Sequence, residues 1–435
     1  MNIEKYSLGI GDRFGLEGAA QLRALQQAET AGVVVVPVWN KSNREHTIIG
    51  TAPGDVRREA DEAVKACGWR HQYYVDADHI GLATVEKFLD SSNFYTIDVA
   101  DYIGKEPNPE SVQKFMNAMD DFTGVLSIPG IHAPFEVTNA LLKNIARKYL
   151  YAVEEAGKVY RTIAQQKGEG TFITEVSVDE ANSPQTPAEL FFILAALAQE
   201  NIPIQTIAPK FTGAFLKGID YVGDVTKFEQ EFQDDIAVIA YAVKTFKFTQ
   251  SLKLSVHSGS DKFSLYSIMH RAVKNANAGL HLKTAGTTWL EEIIGLAASG
   301  GEGLKLAKDV YAQAVQRYDE LCKPYATVVV IEKAKLPDPK AVASWSAEEY
   351  VAAIQHNQSN PRYDKNFRQL VHVSFKVAAE MGARYTGLLK ECRETVEANV
   401  TTNLFERHIK PLFLGVERGT IRSGITMPGR VATGV

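Results

Sequence analysis

Cysteine is scarce. The 435 residues hold three, Cys67, Cys322 and Cys392, widely spaced, which excludes a disulfide framework or a CxxC zinc site and fits a reducing cytoplasm. No stretch approaches ~18 uninterrupted apolar residues. The opening MNIEKYSLGI lacks a basic region followed by a cleavable apolar run, so an unsecreted, cytoplasmic protein without a membrane anchor is expected. Positive charge is not in excess either: 47 basic against 52 acidic residues give −5 with histidine neutral, which argues against a general nucleic-acid binder. A Walker lysine motif, a GxSxG elbow and an HExxH pair are missing, removing the commonest nucleotide, serine-hydrolase and zincin readings.

What is present is ordinary globular composition, 45% hydrophobic and 23% charged, enough for a sizeable core. Short β-branched runs alternate with amphipathic helical stretches. Strands are predicted at 32–39, 72–78, 94–99, 171–177, 202–207, 252–257, 280–283 and 327–332. Eight strands with helices between them favour an α/β fold of the (β/α)8 TIM-barrel type over an open sheet. Residues 1–415 are expected as one barrel domain, with a helical insertion near 105–167 and a helical extension near 340–415. Asn108-Pro109-Glu110 reads as N-cap, N1 proline and first-turn acid, and Ser346-Ala347-Glu348-Glu349 as a capping box. Residues 374–400 read as a long helical stretch, and 416–435 as a tail. Gly9-Ile10-Gly11-Asp12-Arg13-Phe14-Gly15 is glycine-rich, but no strand is predicted before it, so a dinucleotide fold is rejected.

Polar groups cost stability in strands unless paired, so strands ending in His, Asp or Glu are the positions to read. Tyr73-Tyr74-Val75 runs into Asp76, Asp78 and His79; Glu175 lies inside 171–177; His257 ends 252–257; His281 interrupts 280–283. Side chains from the C-terminal ends of barrel strands meet at one mouth. There His79, His257 and His281 could ligate a divalent ion, the donor type suiting Zn, Ni, Co or Mn better than Mg. The bland alternative is that each is a hydrogen-bonded strand-end histidine. His46 and His132 lie in loops that could also reach the mouth.

Candidate anion-holding groups follow three strands. The loops at Ser258, Asp261 and Lys262, and at Lys283 and Thr284, pass through small hydroxylic residues into helical patterns, compatible with anion binding or with simple N-capping. Lys210 reads equally as an anion or enediolate partner or as a solvated lysine. Asn40 and Lys41 open the polar loop after the first predicted strand, as a substrate-binding loop would.

The segments Ser7 to Gly15, Pro37 to Asn43, Val75 to His79 and His257 to Lys262, taken together, resemble the tagaturonate epimerase family over most of 1–415. The resemblance implies a barrel enzyme that needs a divalent metal and interconverts D-tagaturonate and D-fructuronate in hexuronate catabolism, with a small-molecule hexuronate as its partner. On that reading Asp78 is the general base, Glu175 the opposing acid, and His79, His257 and His281 hold the metal. The two sugar acids differ at a carbon β to the ketone, which excludes direct enolisation. Retro-aldol cleavage and reclosure, or two-base exchange after the ketone moves, are the open routes. An epimerase or isomerase of neutral ketoses, and a non-catalytic sugar-acid sensor, are the alternatives; a homo-oligomer is compatible with any of them.

Overall fold

In the segment Tyr74-Val75-Asp76-Ala77-Asp78 the residues alternate in character, and the two sets face opposite ways. Val75 and Ala77 join the large core under the surrounding helices. Tyr74 packs inside the barrel with Ile3, Val36, Val38, Phe94 and Ile173, which form an apolar floor. The computed structural model describes residues 1–257, 261–284 and 286–416. Its strands in chain order are β1 Tyr6–Ile10, β2 Val36–Ser42, β3 Tyr74–Ile80, β4 Phe94–Asp98, β5 Gly124–Leu126, β6 Phe135–Val137, β7 Ile173–Ser177, β8 Thr206–Ala208, β9 Lys253–His257 and β10 Leu280–Lys283. Eight of them close a barrel in the order β1-β10-β9-β8-β7-β4-β3-β2, while β5 and β6 form a separate two-stranded sheet. All eight barrel pairings are parallel. Among the described residues no helix is long and apolar enough to cross a membrane.

The predicted barrel is present, but one of its predicted strands is not. Residues 327–332 are irregular although their β-branched run carries strand propensity. Their backbone finds side chains instead of a ladder: Gln369 accepts from Val330 N at 3.3 Å and Asn366 from Glu332 N at 2.9 Å. The place in the barrel is held by β1, which pairs with both β10 and β2. This strand escaped the sequence reading because it contains Gly9. A Cβ there would meet Lys283 Cγ at 2.8 Å, so the glycine serves close approach of its ladder neighbour on β10.

A strand therefore does precede the glycine-rich loop, contrary to the sequence expectation. Dinucleotide binding still does not follow. Asp12 already occupies the loop's amides, accepting from Phe14 N at 3.1 Å, Gly15 N at 2.9 Å and Glu17 N at 2.6 Å.

Between β4 and β7 the chain forms the helix Pro109–Ala118, the β5–β6 hairpin and the 29-residue helix Asn139–Lys167. This last helix packs on β4 and on the following helix Pro187–Gln199, so it serves as the barrel's own crossover helix. Past β10, the helices Thr287–Ala298 and Gly301–Gln316 lead into an extension whose core includes Trp289, Tyr311, Phe367 and Tyr385. The stretch 374–400 is broken into the helices Phe375–Met381, Ala383–Glu391 and Arg393–Thr402, with a break at Gly382 (φ 54°). The Ser346 capping box and the Asn108 cap both form.

The extension is fastened to the barrel by a buried charge cluster. Asp261, just beyond β9, meets Arg368 at 2.6 Å, His356 at 3.1 Å and His408 at 3.1 Å, all essentially without exposure. Burial raises the Asp261 carboxyl, but Arg368 and the two imidazoles more than reverse this and hold it well below the usual carboxylate range. Asp261→Asn leaves a buried guanidinium without its counter-ion, and is expected to lower unfolding free energy by about 3–5 kcal/mol in urea titrations. Because the folded carboxyl is depressed, this contribution is complete above about pH 4, the unfolded value, and fades as pH falls below it. A wild-type minus Asp261→Asn difference that is flat from pH 7 to pH 3 would count against the cluster.

Candidate active site at the barrel mouth

Above the apolar floor the barrel interior turns polar, one inward position at a time. The register sets Asn40 beside Asp76 and Ser42 beside Asp78, Thr96 beside Glu175, and Gly9 beside Lys283 beside His257. Charges this deep require partners. Lys283 supplies them: its Nζ lies 2.7 Å from Asp76, 2.8 Å from Asp78 and 3.1 Å from Glu175, and also donates to Thr96 Oγ1. Burial opposes the ammonium, yet the three carboxylates raise its pKa well above the ordinary lysine value. Asp76 stays the most protonatable of the acids: burial lifts it to about 7, Lys283 opposing and Asp78 and Glu175 adding to the rise. Asp78 is lowered despite burial, by Lys283 and then His79.

Asp78 and His79 would point oppositely on a regular strand. Here the pairing of β3 with β4 shifts register between Ala77 and Ile80, and His79 adopts φ 51°, in the left-handed region. This bulge re-aims a side chain, as bulges beside active sites do. The His79 ring reaches Asp98 through Nδ1 at 3.1 Å, while its Nε2 is 3.7 Å from Asp78.

His257, at the end of β9, sits with its ring centroid 5.1 Å from that of His79. Its Nε2 is 2.9 Å from Glu175 Oε1 and its Nδ1 3.2 Å from Asp179 Oδ2. Burial disfavours the imidazolium, but Asp179 and Glu175 outweigh it and raise His257 to about 9. Donor atoms of His79, Asp179 and His257 all lie within 4.8 Å of one another. Two imidazoles and a carboxylate suit a first-row divalent ion. The fit extends to the supports: His257 bonds Glu175 through one nitrogen with the other facing Asp179, and His79 bonds Asp98, the backing that ligand histidines usually have.

His281 is not among the residues brought together at this cluster. It faces inward two residues before Lys283, roughly 6–7 Å deeper by strand rise. There it bonds Ser7 at 2.9 Å and packs 5.3 Å from the Phe94 ring, and burial lowers it to about 3. Asn40 lies in the mouth layer with both side-chain polar atoms buried and unpartnered among the described residues, as a group awaiting a ligand would be. Lys41 faces away and donates to the Arg13 carbonyl at 3.0 Å. Lys210 donates to the Ala181 carbonyl. Asp261 is consumed by the Arg368 cluster, and Lys283 by three acids, so neither is poised for an anion in the way the loop pattern suggested. Ser258 lies outside the described residues. His46 is buried and bonded to Thr51 at 2.9 Å, and His132 is exposed.

Sequence reasoning missed Asp179 and Asp98. Asp98 lies one residue before the end of the predicted strand 94–99 and ends the observed β4, a signal much like that of Asp78. Asp179 lies two residues past β7, where loop conformation decides direction.

A sequence model of the tagaturonate epimerase family matches residues 1–410. The chain belongs to that family. Membership makes it an isomerase, an epimerase of the tagaturonate epimerase type. It is 28% identical over 418 residues to the tagaturonate/fructuronate epimerase of Thermotoga maritima, covering 93% of this chain and 79% of that protein. Among solved structures, the fructuronate-tagaturonate epimerase UxaE of Cohnella laeviribosi superposes with a TM-score of 0.78 in its glycerol complex, at 24% identity, over 95% of this chain and 82% of the other. Its native form gives a TM-score of 0.77 at 23% identity. These structures share the fold of this family member.

Lys283→Met removes the one cation that all three buried carboxylates share among the described contacts. We expect a loss of about 3–5 kcal/mol of stability, measured by urea unfolding. A loss under about 1 kcal/mol would mean that the three acids are not ionised together.

Proposed function

We propose that this epimerase interconverts D-tagaturonate and D-fructuronate as a divalent-metal enzyme of the cytoplasm, with His79, Asp179 and His257 holding the ion. The convergence of those three donors beside the Asp78, Glu175 and Lys283 cluster carries the reading, and family membership supports it. A bound ion would supply Lewis-acid stabilisation of negative charge on vicinal oxygens of the substrate.

The reacting carbon is β to the ketone, so its hydrogen is not acidified by enolisation and retro-aldol chemistry is the economical route. Asp78, ionised beside Lys283, takes the proton of the hydroxyl on that carbon. The bond between it and the ketone's α carbon breaks, leaving an aldehyde and an enediolate. The aldehyde turns, the bond re-forms on its other face, and the new alkoxide takes a proton that the Lys283 ammonium passes through Glu175, itself ionised at rest. One proton is removed and one returned. Lys283 touches both carboxylates, 2.8 Å and 3.1 Å away, so it can give up a proton toward Glu175 and recover one from Asp78, leaving both acids ionised as they began. Asn40, buried and unpartnered, orients a substrate hydroxyl or carbonyl.

Metal-reconstituted protein given D-fructuronate should produce D-tagaturonate by NMR, and excess chelator should abolish the conversion. In D2O the product should carry no deuterium at the epimerised carbon, because retro-aldol chemistry never breaks that C–H bond; incorporation there would replace the route with proton exchange. Absence of conversion alongside turnover of neutral ketoses would move the assignment to a ketose epimerase. Asp78→Asn should keep its metal and lose ~10²–10⁴-fold in kcat. Asp179→Ala should lose stoichiometric metal by elemental analysis while His281→Ala retains it, and the reverse pattern would restore His281 to the ligand set.

A further inference from the structure

Beside the mouth lies a cationic cluster that the proposed chemistry does not use. Arg13 comes from the loop after β1, Arg44 from the helix Asn43–Ile49 that follows β2, and Lys217 from the loop after β8. Glu45 ties them to the catalytic acids. It bonds Arg13 Nε at 3.1 Å through one oxygen, and through the other accepts from Ser42 N at 3.1 Å. Ser42 is the ladder neighbour of Asp78, one interstrand spacing of about 4.8 Å away.

Arg13 is paired with Glu45, while Arg44 and Lys217 are held in place without an ion pair among the described residues. The Arg13 guanidinium stacks 3.9 Å from the Phe375 ring centroid. Arg44 and Lys217 share one ring, Tyr325, at 5.1 Å and 5.4 Å. Aromatic faces orient cations without cancelling their charge. Lys217 has no hydrogen bond or ion pair through its ammonium among the described residues. Burial, then Arg13, lowers its pKa to about 8, with Arg44 adding to the fall and Glu45 and Glu180 opposing it. Glu45 is committed to Arg13 and Glu180 is exposed, so three cations face two acids.

His372, from the helix Lys365–Val373, provides the second observation. It is fully buried, yet both ring nitrogens lack a partner among the described residues. Its backbone oxygen is 3.5 Å from Arg13 Nη1. Gly286 lets the His372 ring and Arg13 approach closely, since a Cβ there would lie 2.6 Å from the ring and 3.2 Å from Arg13 Nη2. A neutral imidazole with a free N–H, beside arginine and lysine, has the chemistry of a carboxylate receptor.

We propose that Arg13, Arg44 and Lys217, with His372, form a subsite for the carboxylate of a keto-sugar acid and select uronates over neutral ketoses. The inference rests on the epimerase reading above and assigns its substrate's anionic end. The loop of Arg13, the Tyr325 segment and the C-terminal extension thereby acquire a common role as walls of one anion pocket.

The test uses Lys217→Met, Arg44→Met and the double variant, all metal-reconstituted, with thermal melts to confirm folding. Two readouts are taken: initial rates on D-fructuronate, and calorimetric titration with D-galactonate, a sugar acid without a ketone, against neutral D-tagatose. Loss of a charge-assisted contact should raise KM for D-fructuronate ~10- to 100-fold per variant, with kcat changing far less. D-galactonate should weaken by a similar factor, and D-tagatose binding should not move. Unchanged KM in a folded double variant would overturn the subsite while leaving the epimerase reading intact. Should wild type fail to convert D-fructuronate, that reading falls alone. The titration then still decides the subsite: D-galactonate binding that depends on Lys217 and Arg44 supports it, and binding that is absent or indifferent to them overturns it.

Discussion

An ammonium enclosed by three carboxylates sets the terms for the rest of this barrel. Without Lys283, Asp76, Asp78 and Glu175 would be like charges a few ångströms apart in a space with little water, and burial would drive them toward their neutral forms. With it, Asp78 and Glu175 remain ionised and Asp76 stays near neutrality. Carboxyl groups of differing proton affinity thus coexist around one cation. Gly9, beside Lys283 on the adjacent strand β1, belongs to the same arrangement, because a larger residue there would push on the lysine stem.

The geometry of the proposed metal site depends on a backbone irregularity more than on residue choice. The bulge at the end of β3 lets Asp78 stay with the acid cluster while His79 turns to meet His257 and Asp179. Carboxylates then stand behind both imidazoles, Asp98 behind His79 and Glu175 behind His257. Glu175 consequently links two assemblies, touching Lys283 on one side and His257 on the other. Binding of an ion would be felt directly by the residues assigned to proton transfer.

The helical extension takes part in the site through its attachment. Arg368, His356 and His408 fasten Asp261 four residues beyond His257, so Asp261 is anchored by charges from remote sequence. Phe375 and His372 lie against Arg13, and Tyr325 against Arg44. Breaking a buried ion pair costs far more than an exposed one, which gives the extension a firm hold on the mouth.

Much was legible in the sequence because periodicity and strand-end chemistry are local. Alternation revealed seven of the barrel strands, and polar residues ending apolar runs marked Asp76, Asp78, His79, Glu175 and His257. Two glycines and a short run concealed β1, whereas 327–332 carried strand propensity with no open edge left to join. The strand-end signal could not distinguish His281 from His257, since both interrupt apolar runs; depth in the barrel separates them, and depth follows from register. Likewise Asp261 and Lys283 had the composition of ligand-holding loops, but partners distant in sequence had already claimed their charges. The amino-acid sequence by itself determined the family, the barrel class and the kinds of chemical group at the mouth, because these follow from order and residue type. Which groups meet, which are neutralised and which are left for a ligand was decided only by the tertiary structure, because electrostatic pairing depends on distances that barrel closure, one bulge and the packed extension create.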